Sequence, residues 1–275
     1  MEKSVKEILA ENNFGFKKKF GQNFITDKNL LESIVSLAEV GADDTVIEIG
    51  CGAGTLTRAL AGVAKKVIAF EIDTALQPVL AQTLAGCDNV EVVFRDFLKV
   101  DLKEIEKNLN SYKVVANLPY YITTPLIMKL VEQSEKCVGL TVMVQEEVAE
   151  RLCAKQNTPE YGAITASVAL RAEAKIVKKV SRTAFTPRPN VDSAVVNLKI
   201  EDKRLPVKDT EIYKKVVRAA FLSRRKTLVN NLMVAFELKR AEAEEVLNTI
   251  GIDIKARGET LSPNDFALLS DALTK

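Results

Sequence analysis

Between about residues 45 and 145, short runs of β-branched and other apolar residues alternate with amphipathic stretches. Residues 45–49, 66–70, 90–94, 112–116 and 140–144 read as strands, and 56–61, 75–84, 102–109 and 125–133 as the helices between them. The strands lack the polar alternation of a half-exposed sheet, which suits parallel strands covered on both faces. Repeated strand and helix predict an α/β fold built on an open, doubly wound sheet. Two more strand-like runs, 174–180 and 194–200, flank Phe185-Thr186-Pro187-Arg188-Pro189, which cannot be helix interior. Beyond residue 200 the pattern changes. Residues 201–206 are polar and broken by proline, and the remainder reads as helices at about 209–222, 225–236, 240–249 and 263–273, the last opened by Ser262-Pro263. Residues 1–202 are therefore expected to form one domain, with an N-terminal arm over about 1–26 that is a short amphipathic helix or frayed. Residues 203–275 are expected to form a small helical domain.

Composition narrows the chemistry. The chain has 275 residues, 47% of them hydrophobic and 28% charged, enough for a sizeable core. It contains no histidine, which removes histidine general bases, Ser-His-Asp triads and histidine metal ligands together. The four cysteines have no zinc or redox spacing and fit reduced, mostly buried thiols. No metal site is expected, nor any membrane span or signal peptide. The formal net charge of +2 is unremarkable, but the charge is segregated. Basic runs occur at Lys17-Lys18-Lys19, Lys178-Lys179, Lys214-Lys215 and Arg224-Arg225-Lys226. Such runs are either solvated surface or a positive face for phosphates.

Two motifs carry chemistry. Glu48-Ile49-Gly50-Cys51-Gly52-Ala53-Gly54 follows a strand and opens a helix, where Gly50 and Gly52 let backbone pass close to a ligand. The spacing is G-x-G-x-G; the dinucleotide fingerprint would require glycine where Thr55 stands, so NAD and FAD are disfavoured. Glu71, at the tip of the next strand, is placed to accept bonds from two ribose hydroxyls, and Asp96, after the following strand, from an adenine amino group. Asn117-Leu118-Pro119-Tyr120 ends the fourth strand. An adenine amine is a poor nucleophile because its lone pair is delocalised into the ring. The Asn117 side-chain oxygen and the Leu118 carbonyl could accept its hydrogens and direct the lone pair at a methyl group. Pro119 fixes the turn, and Tyr120 offers a face for stacking the base. No strong base is needed, because the methylated nitrogen is itself strongly acidic. Phe185 could stack the base from the other side, or it could be a core anchor.

These motifs together resemble the KsgA (RsmA) family of ribosomal RNA adenine dimethyltransferases, along the whole chain. Lys19-Phe20-Gly21-Gln22-Asn23-Phe24 is similar to that family's opening motif, with Asn23 where histidine is frequent. The segment from Glu48 to Thr57, Glu71-Ile72-Asp73 and Asn117-Leu118-Pro119-Tyr120 are similar to its glycine, ribose and catalytic motifs. Arg95-Asp96 keeps the aspartate of a Gly-Asp pair. Segments 145–151, 161–162 and 185–193 also match, as does Phe221-Leu222-Ser223-Arg224-Arg225-Lys226-Thr227-Leu228-Val229-Asn230-Asn231-Leu232, a specific C-terminal signature. The resemblance implies a Rossmann-like class I methyltransferase fold and S-adenosyl-L-methionine as cofactor. It implies Asn23, Ile25 (through its backbone), Gly50, Glu71, Asp96 and Asn117 as the cofactor lining.

The implied substrate is a pair of adjacent adenosines in the 3′-terminal hairpin loop of 16S rRNA in the small ribosomal subunit, each dimethylated at N6. The target must be unstacked, and loop adenosines are cheaper to extrude than paired ones. Lys17, Lys18, Lys19, Arg188, Arg224, Arg225 and Lys226 are the expected RNA contacts. The protein is expected in the cytoplasm as a monomer, with a role in small-subunit biogenesis and with no DNA or membrane partner. Three other readings stay open: an Erm-like methyltransferase of large-subunit rRNA, a DNA adenine or protein glutamine methyltransferase, which would leave the small domain unexplained, and an assembly checkpoint factor for which methylation is secondary.

Overall fold

A computed structural model of the chain describes residues 4–17, 21–202 and 204–274. Backbone contacts divide it into two compact units: residues up to Ala149 with Lys175–Ile200, and Glu150–Ala174 with Glu201 onward.

The first unit contains α1 (Val5–Glu11), β1 (Phe24–Ile25), α2 (Lys28–Leu37), β2 (Thr45–Ile49), α3 (Thr55–Ala61), β3 (Lys66–Glu71), α4 (Gln77–Thr83), β4 (Val90–Phe94), α5 (Leu102–Glu106), β5 (Tyr112–Asn117), α6 (Thr123–Gln133) and β6 (Cys137–Gln145). After α7 (Glu146–Leu152) and α8 (Ala163–Ala169) come β7 (Ala172–Val180), β8 (Phe185–Thr186) and β9 (Ser193–Ile200). Seven strands form one sheet in the order β4-β3-β2-β5-β6-β9-β7. From β4 to β6 the pairings are parallel; β9 runs antiparallel to β6, with Met143 opposite Val195. Val46, Ile47, Val67, Val114, Val115 and Val142 are wholly buried, as continuous apolar runs covered on both faces must be.

Strand order reverses between β2 and β5, which opens a crevice beyond their carboxyl ends, the ligand position of open α/β sheets. Parallel register brings Ile49 level with Phe70, and Glu71 level with Phe94, so the loops after β2, β3 and β4 emerge side by side. Helix α2, which the sequence reading passed over, buries Leu30, Leu31, Ile34 and Val35 and is capped by Asp27, whose Oδ1 accepts from Asn29 N at 2.9 Å.

The second unit contains α9 (Thr210–Ala220), α10 (Leu228–Phe236), α11 (Arg240–Thr249) and α12 (Pro263–Leu273). Asp209 caps α9, and a reciprocal Ser262–Asp265 box opens α12, as Ser262-Pro263 predicts. The expected cut between residues 202 and 203 does not describe this unit, because 150–174 belong to it as well. The reason is packing: Tyr161, Ala166 and Leu170 share a core with Tyr213, Val217, Leu228 and Phe266. The Tyr161 hydroxyl donates to the Leu261 carbonyl and the Tyr213 hydroxyl to the Ala166 carbonyl, both at 2.8 Å. The helical run over 209–236 breaks around residues 223–224 as expected, but the break is wider than predicted. α9 stops at Ala220, and 221–227 form a turn held by Asn231, whose buried amide donates to the Ala220 and Ser223 carbonyls. Among the described residues no helix is long and apolar enough to cross a membrane.

Candidate active site

A cavity of about 360 Å3 lies beyond the carboxyl ends of β2, β3, β4 and β5. Its walls include Gly50, Gly52, Glu71, Asp96, Asn117 and Leu118. A larger cleft of about 1320 Å3 runs among α1, α2 and α3. Its polar lining mixes Lys6, Lys28 and Arg58 with Glu32 and Glu39, and none of Gly50, Glu71, Asp96 and Asn117 lines it, so the smaller cavity is the chemical candidate.

Gly50 and Gly52 take φ of +75° and +55°, a region costly for other residues. Space is short at Gly52 and tight at Gly50. A Cβ at Gly52 would lie 2.8 Å from the Phe24 ring, and one at Gly50 would lie 3.4 Å from Pro119 Cδ. Glu71 ends β3 and is buried. Its Oε2 accepts from Gly52 N, and its Oε1 from Ile72 N and Asp73 N, all at 2.8 Å. Burial pushes this carboxyl above its ordinary range, while the three amides hold it back. Asp96 uses Oδ1 to cap the turn at Phe97–Lys99, accepting from Leu98 N at 3.0 Å.

Asn117 ends β5, and its Nδ2 donates to the Asn23 carbonyl at 2.8 Å. This fixes the amide and leaves Oδ1 as its acceptor. Leu118 N donates to the Met143 carbonyl at 3.1 Å, which sets the adjoining peptide. The Pro119 carbonyl accepts from Ile122 N and Thr123 Oγ1, closing the turn. Tyr120 is half-buried, and its hydroxyl is 2.8 Å from Ser193 Oγ. Burial, eased by the bond to Ser193 and reinforced by the charge of Asp192, raises that phenol above its usual range.

The predicted residues are thus brought together with two exceptions. Phe185 does not reach the cavity: it is 4% exposed and packs with Ile25, Val115, Met143 and Val195. The short β1–β8 pairing sets Phe185 opposite Ile25 and draws its ring into the core, so the anchor reading holds. Ile25 is buried as well and is not part of the cavity wall; its carbonyl accepts from Thr55 Oγ1.

Among the expected RNA contacts, Lys17 pairs with buried Asp73 at 2.6 Å. Lys18 and Lys19 lie outside the described residues. Arg224 donates to the Pro159 and Tyr161 carbonyls, both at 2.9 Å. Arg188, Arg224, Arg225 and Lys226 are all exposed. Other members of the basic runs have structural partners: Lys179 pairs with Glu146, Lys214 with Glu211, and Lys215 lies over the Phe236 ring.

The sequence reading missed Tyr121 and Gln22 in the cavity wall, and Asp73 behind it. The Gln22 side chain accepts from Lys17 N and donates to Asp73 Oδ2, binding the N-terminal segment to the loop after β3. The doubled tyrosine after Pro119 was the available signal for Tyr121. Asp73 caps the turn at Thr74–Leu76 locally, but the partners that tie it to the cavity, Lys17 and Gln22, lie more than fifty positions away.

The lining suits an adenosine-bearing ligand. Carboxylates at Glu71 and Asp96 can accept from hydroxyl and amino groups, Phe70, Ile72, Phe97 and Leu98 supply apolar surface, and the side-chain-free glycines admit the ligand against backbone. With this sheet, it defines a Rossmann-like class I methyltransferase. The model of the family "Ribosomal RNA adenine dimethylase" matches residues 13–275, and the chain belongs to that family. Its methyl donor is S-adenosylmethionine.

Among curated relatives, the "Ribosomal RNA small subunit methyltransferase A" of Geobacillus thermodenitrificans is 49% identical, over 98% of this chain and 94% of the relative. That of Clostridioides difficile is 45% identical, over 98% and 95%. Among solved structures, a dimethyladenosine transferase from Plasmodium falciparum aligns with a TM-score of 0.77 at 27% identity, covering 90% of this chain and 95% of that one. The 23S rRNA methyltransferase ErmE aligns with a TM-score of 0.71 at 29% identity, covering 91% and 99%.

Proposed function

We propose that this enzyme transfers four methyl groups to N6 of two adjacent adenosines in the 3′-terminal hairpin loop of 16S rRNA, acting on the small ribosomal subunit in the cytoplasm during its biogenesis. The small-subunit assignment is supported by relatives of that name at 45% to 49% identity over nearly the whole chain, against 29% for ErmE. The observation that carries the chemistry is the committed amide of Asn117, which leaves its Oδ1 as an acceptor beside the Leu118 peptide and the glycine loop.

When bound, S-adenosylmethionine supplies an electrophilic methyl group. Glu71 and Asp96 hold the ribose hydroxyls and the adenine amine of the donor, and Asn23, Gly50 and Gly52 complete its lining. Asn117 Oδ1 and the Leu118 carbonyl accept hydrogens from the target amine, so the lone pair leaves conjugation and faces the donor. Tyr120, anchored through Ser193, stacks the extruded base. The alkylated nitrogen releases its proton to water, which fits a chain without histidine. Arg188, Arg225 and Lys226 contact phosphates.

The test is nucleoside mass spectrometry after incubation with S-adenosylmethionine and either unmethylated small subunits or large-subunit RNA. Dimethyladenosine in the small-subunit sample alone is the expected result. Product only with large-subunit RNA transfers the assignment to Erm-type chemistry.

A further inference from the structure

Five tyrosines and no tryptophan make up the phenol and indole content of the chain. Tyr112, Tyr161 and Tyr213 are buried, and Tyr120 is half-buried with its hydroxyl at Ser193. Tyr121 differs from all of them. It is 55% exposed, yet it lines the cavity. Its ring lies against Gly21 on the opposite rim: a Cβ built at Gly21 would meet Tyr121 Cδ1 at 3.5 Å and Pro119 Cβ at 3.8 Å. The ring therefore reaches from the β5 loop to the N-terminal segment. It shares the cavity wall with Asp96 and Glu71. What burial it has, and then the charges of Asp96 and Glu71, raise its phenol above the ordinary value. A large exposed ring at this point gains nothing for the fold, since exposed aromatic surface contributes little to stability. It does offer an aromatic face to a purine entering beside Asp96.

We infer that Tyr121 is a positioning residue for the methyl donor: its ring covers the adenosine half of bound S-adenosylmethionine and retains it, while Tyr120 serves the target base. This rests on the assignment of the cavity as the donor site. The ring, not the hydroxyl, does the work, because base–aromatic stacking needs only the π face.

S-adenosylhomocysteine is the probe, with affinity measured by calorimetry and tyrosine accessibility by acrylamide quenching of intrinsic emission. In the wild type, saturation with the probe should protect the accessible tyrosine emission from acrylamide; Tyr121→Phe should lack that accessible fraction from the start. Tyr121→Ala should bind the probe about tenfold more weakly, the size of one lost stacking contact. Tyr121→Phe should bind within about twofold of wild type, and ligand-free Tyr121→Ala should melt with the wild type. Unchanged probe affinity in Tyr121→Ala with a loss of RNA affinity would overturn the inference and make Tyr121 a platform for RNA. Unprotected emission at saturation would overturn it as well. If wild type binds no probe at all, the assignment of the cavity itself fails, and that result is distinct from the other two.

Discussion

The side-chain amide of Asn117 donates to the main-chain carbonyl of Asn23 across 2.8 Å, joining the end of β5 to the segment before β1. An asparagine whose nitrogen is so engaged can only accept with its oxygen, which is the orientation amine activation demands. Replacing Asn117 by alanine should lower the single-turnover rate by about 100- to 1000-fold, the range for removal of one preorganised polar group. S-adenosylhomocysteine affinity should change far less. Equal losses in both would make Asn117 a binding group only.

Glu71 is expected to have two effects that can be separated. Its carboxylate gathers three backbone amides and also faces the cavity. Glu71→Ala should weaken cofactor binding by roughly ten- to a hundredfold and lower the melting temperature of the ligand-free protein, because the amides lose a charged acceptor. Asp96→Ala, with one amide bond to lose, should weaken binding with a smaller loss of stability. Calorimetry and thermal melting read the two effects separately.

The Arg224-Arg225-Lys226 run divides by geometry. Arg224→Ala should cost about 0.5–1.5 kcal/mol of stability, since the Pro159 and Tyr161 carbonyls lose a charged donor at a partly solvated site. A joint Arg225→Ala, Lys226→Ala variant should stay within about 0.5 kcal/mol of wild type, yet bind small subunits more weakly and with a shallower salt dependence. Urea titration and filter binding across a salt series distinguish the outcomes; a reversal would show that Arg224 is the RNA contact.

Phe185 provides a test of core against site. Phe185→Ala should destabilise by about 3–5 kcal/mol, while Phe185→Leu should retain turnover at temperatures where it is folded. Loss of turnover in a stable leucine variant would restore a direct role for the ring.

Glu48 predicts a pH effect. It is 2% exposed; burial, eased in part by nearby Thr57 and reinforced by the charge of Glu71, pushes its carboxyl from 4.5 up to about 8. Yet neither Glu48 Oε2 nor Thr57 Oγ1 is within hydrogen-bonding distance of a partner among the described residues. Because the folded value lies above the unfolded one, the folded state holds a proton that the unfolded state releases. Stability from this group is full below pH 4.5 and is lost as pH rises toward 8, at about 1.4 kcal/mol per pH unit. Glu48→Gln should therefore gain on wild type in urea midpoint between pH 5 and pH 8, and parallel curves would show that Glu48 is already ionised.

The sheet and the site loops could be read from sequence because their signals are local. Apolar runs mark β2 to β6, and each of Gly50, Glu71, Asp96 and Asn117 stands at or just beyond a strand end. What escaped depends on distant partners. Phe185 beside its prolines could be a ring that stacks the base or a core anchor, and only its pairing opposite Ile25 decides between them. Arg224 read as one of three equal cations, and only the loop at residues 159–161 sets it apart. Tyr161 and Leu170 precede β9 in sequence but pack with α9 and α12, so a boundary drawn from composition misplaced them.

The closeness of Gly50 and Pro119 has a further consequence. A Cβ built at the glycine would meet the proline ring at 3.4 Å, the close end of ordinary van der Waals separation, so the bare glycine leaves only the room of a single side-chain carbon between the glycine loop and the loop that carries Asn117. A side chain at position 50 would fill that room. The narrow passage between the two loops therefore depends on a residue that contributes no side chain to either.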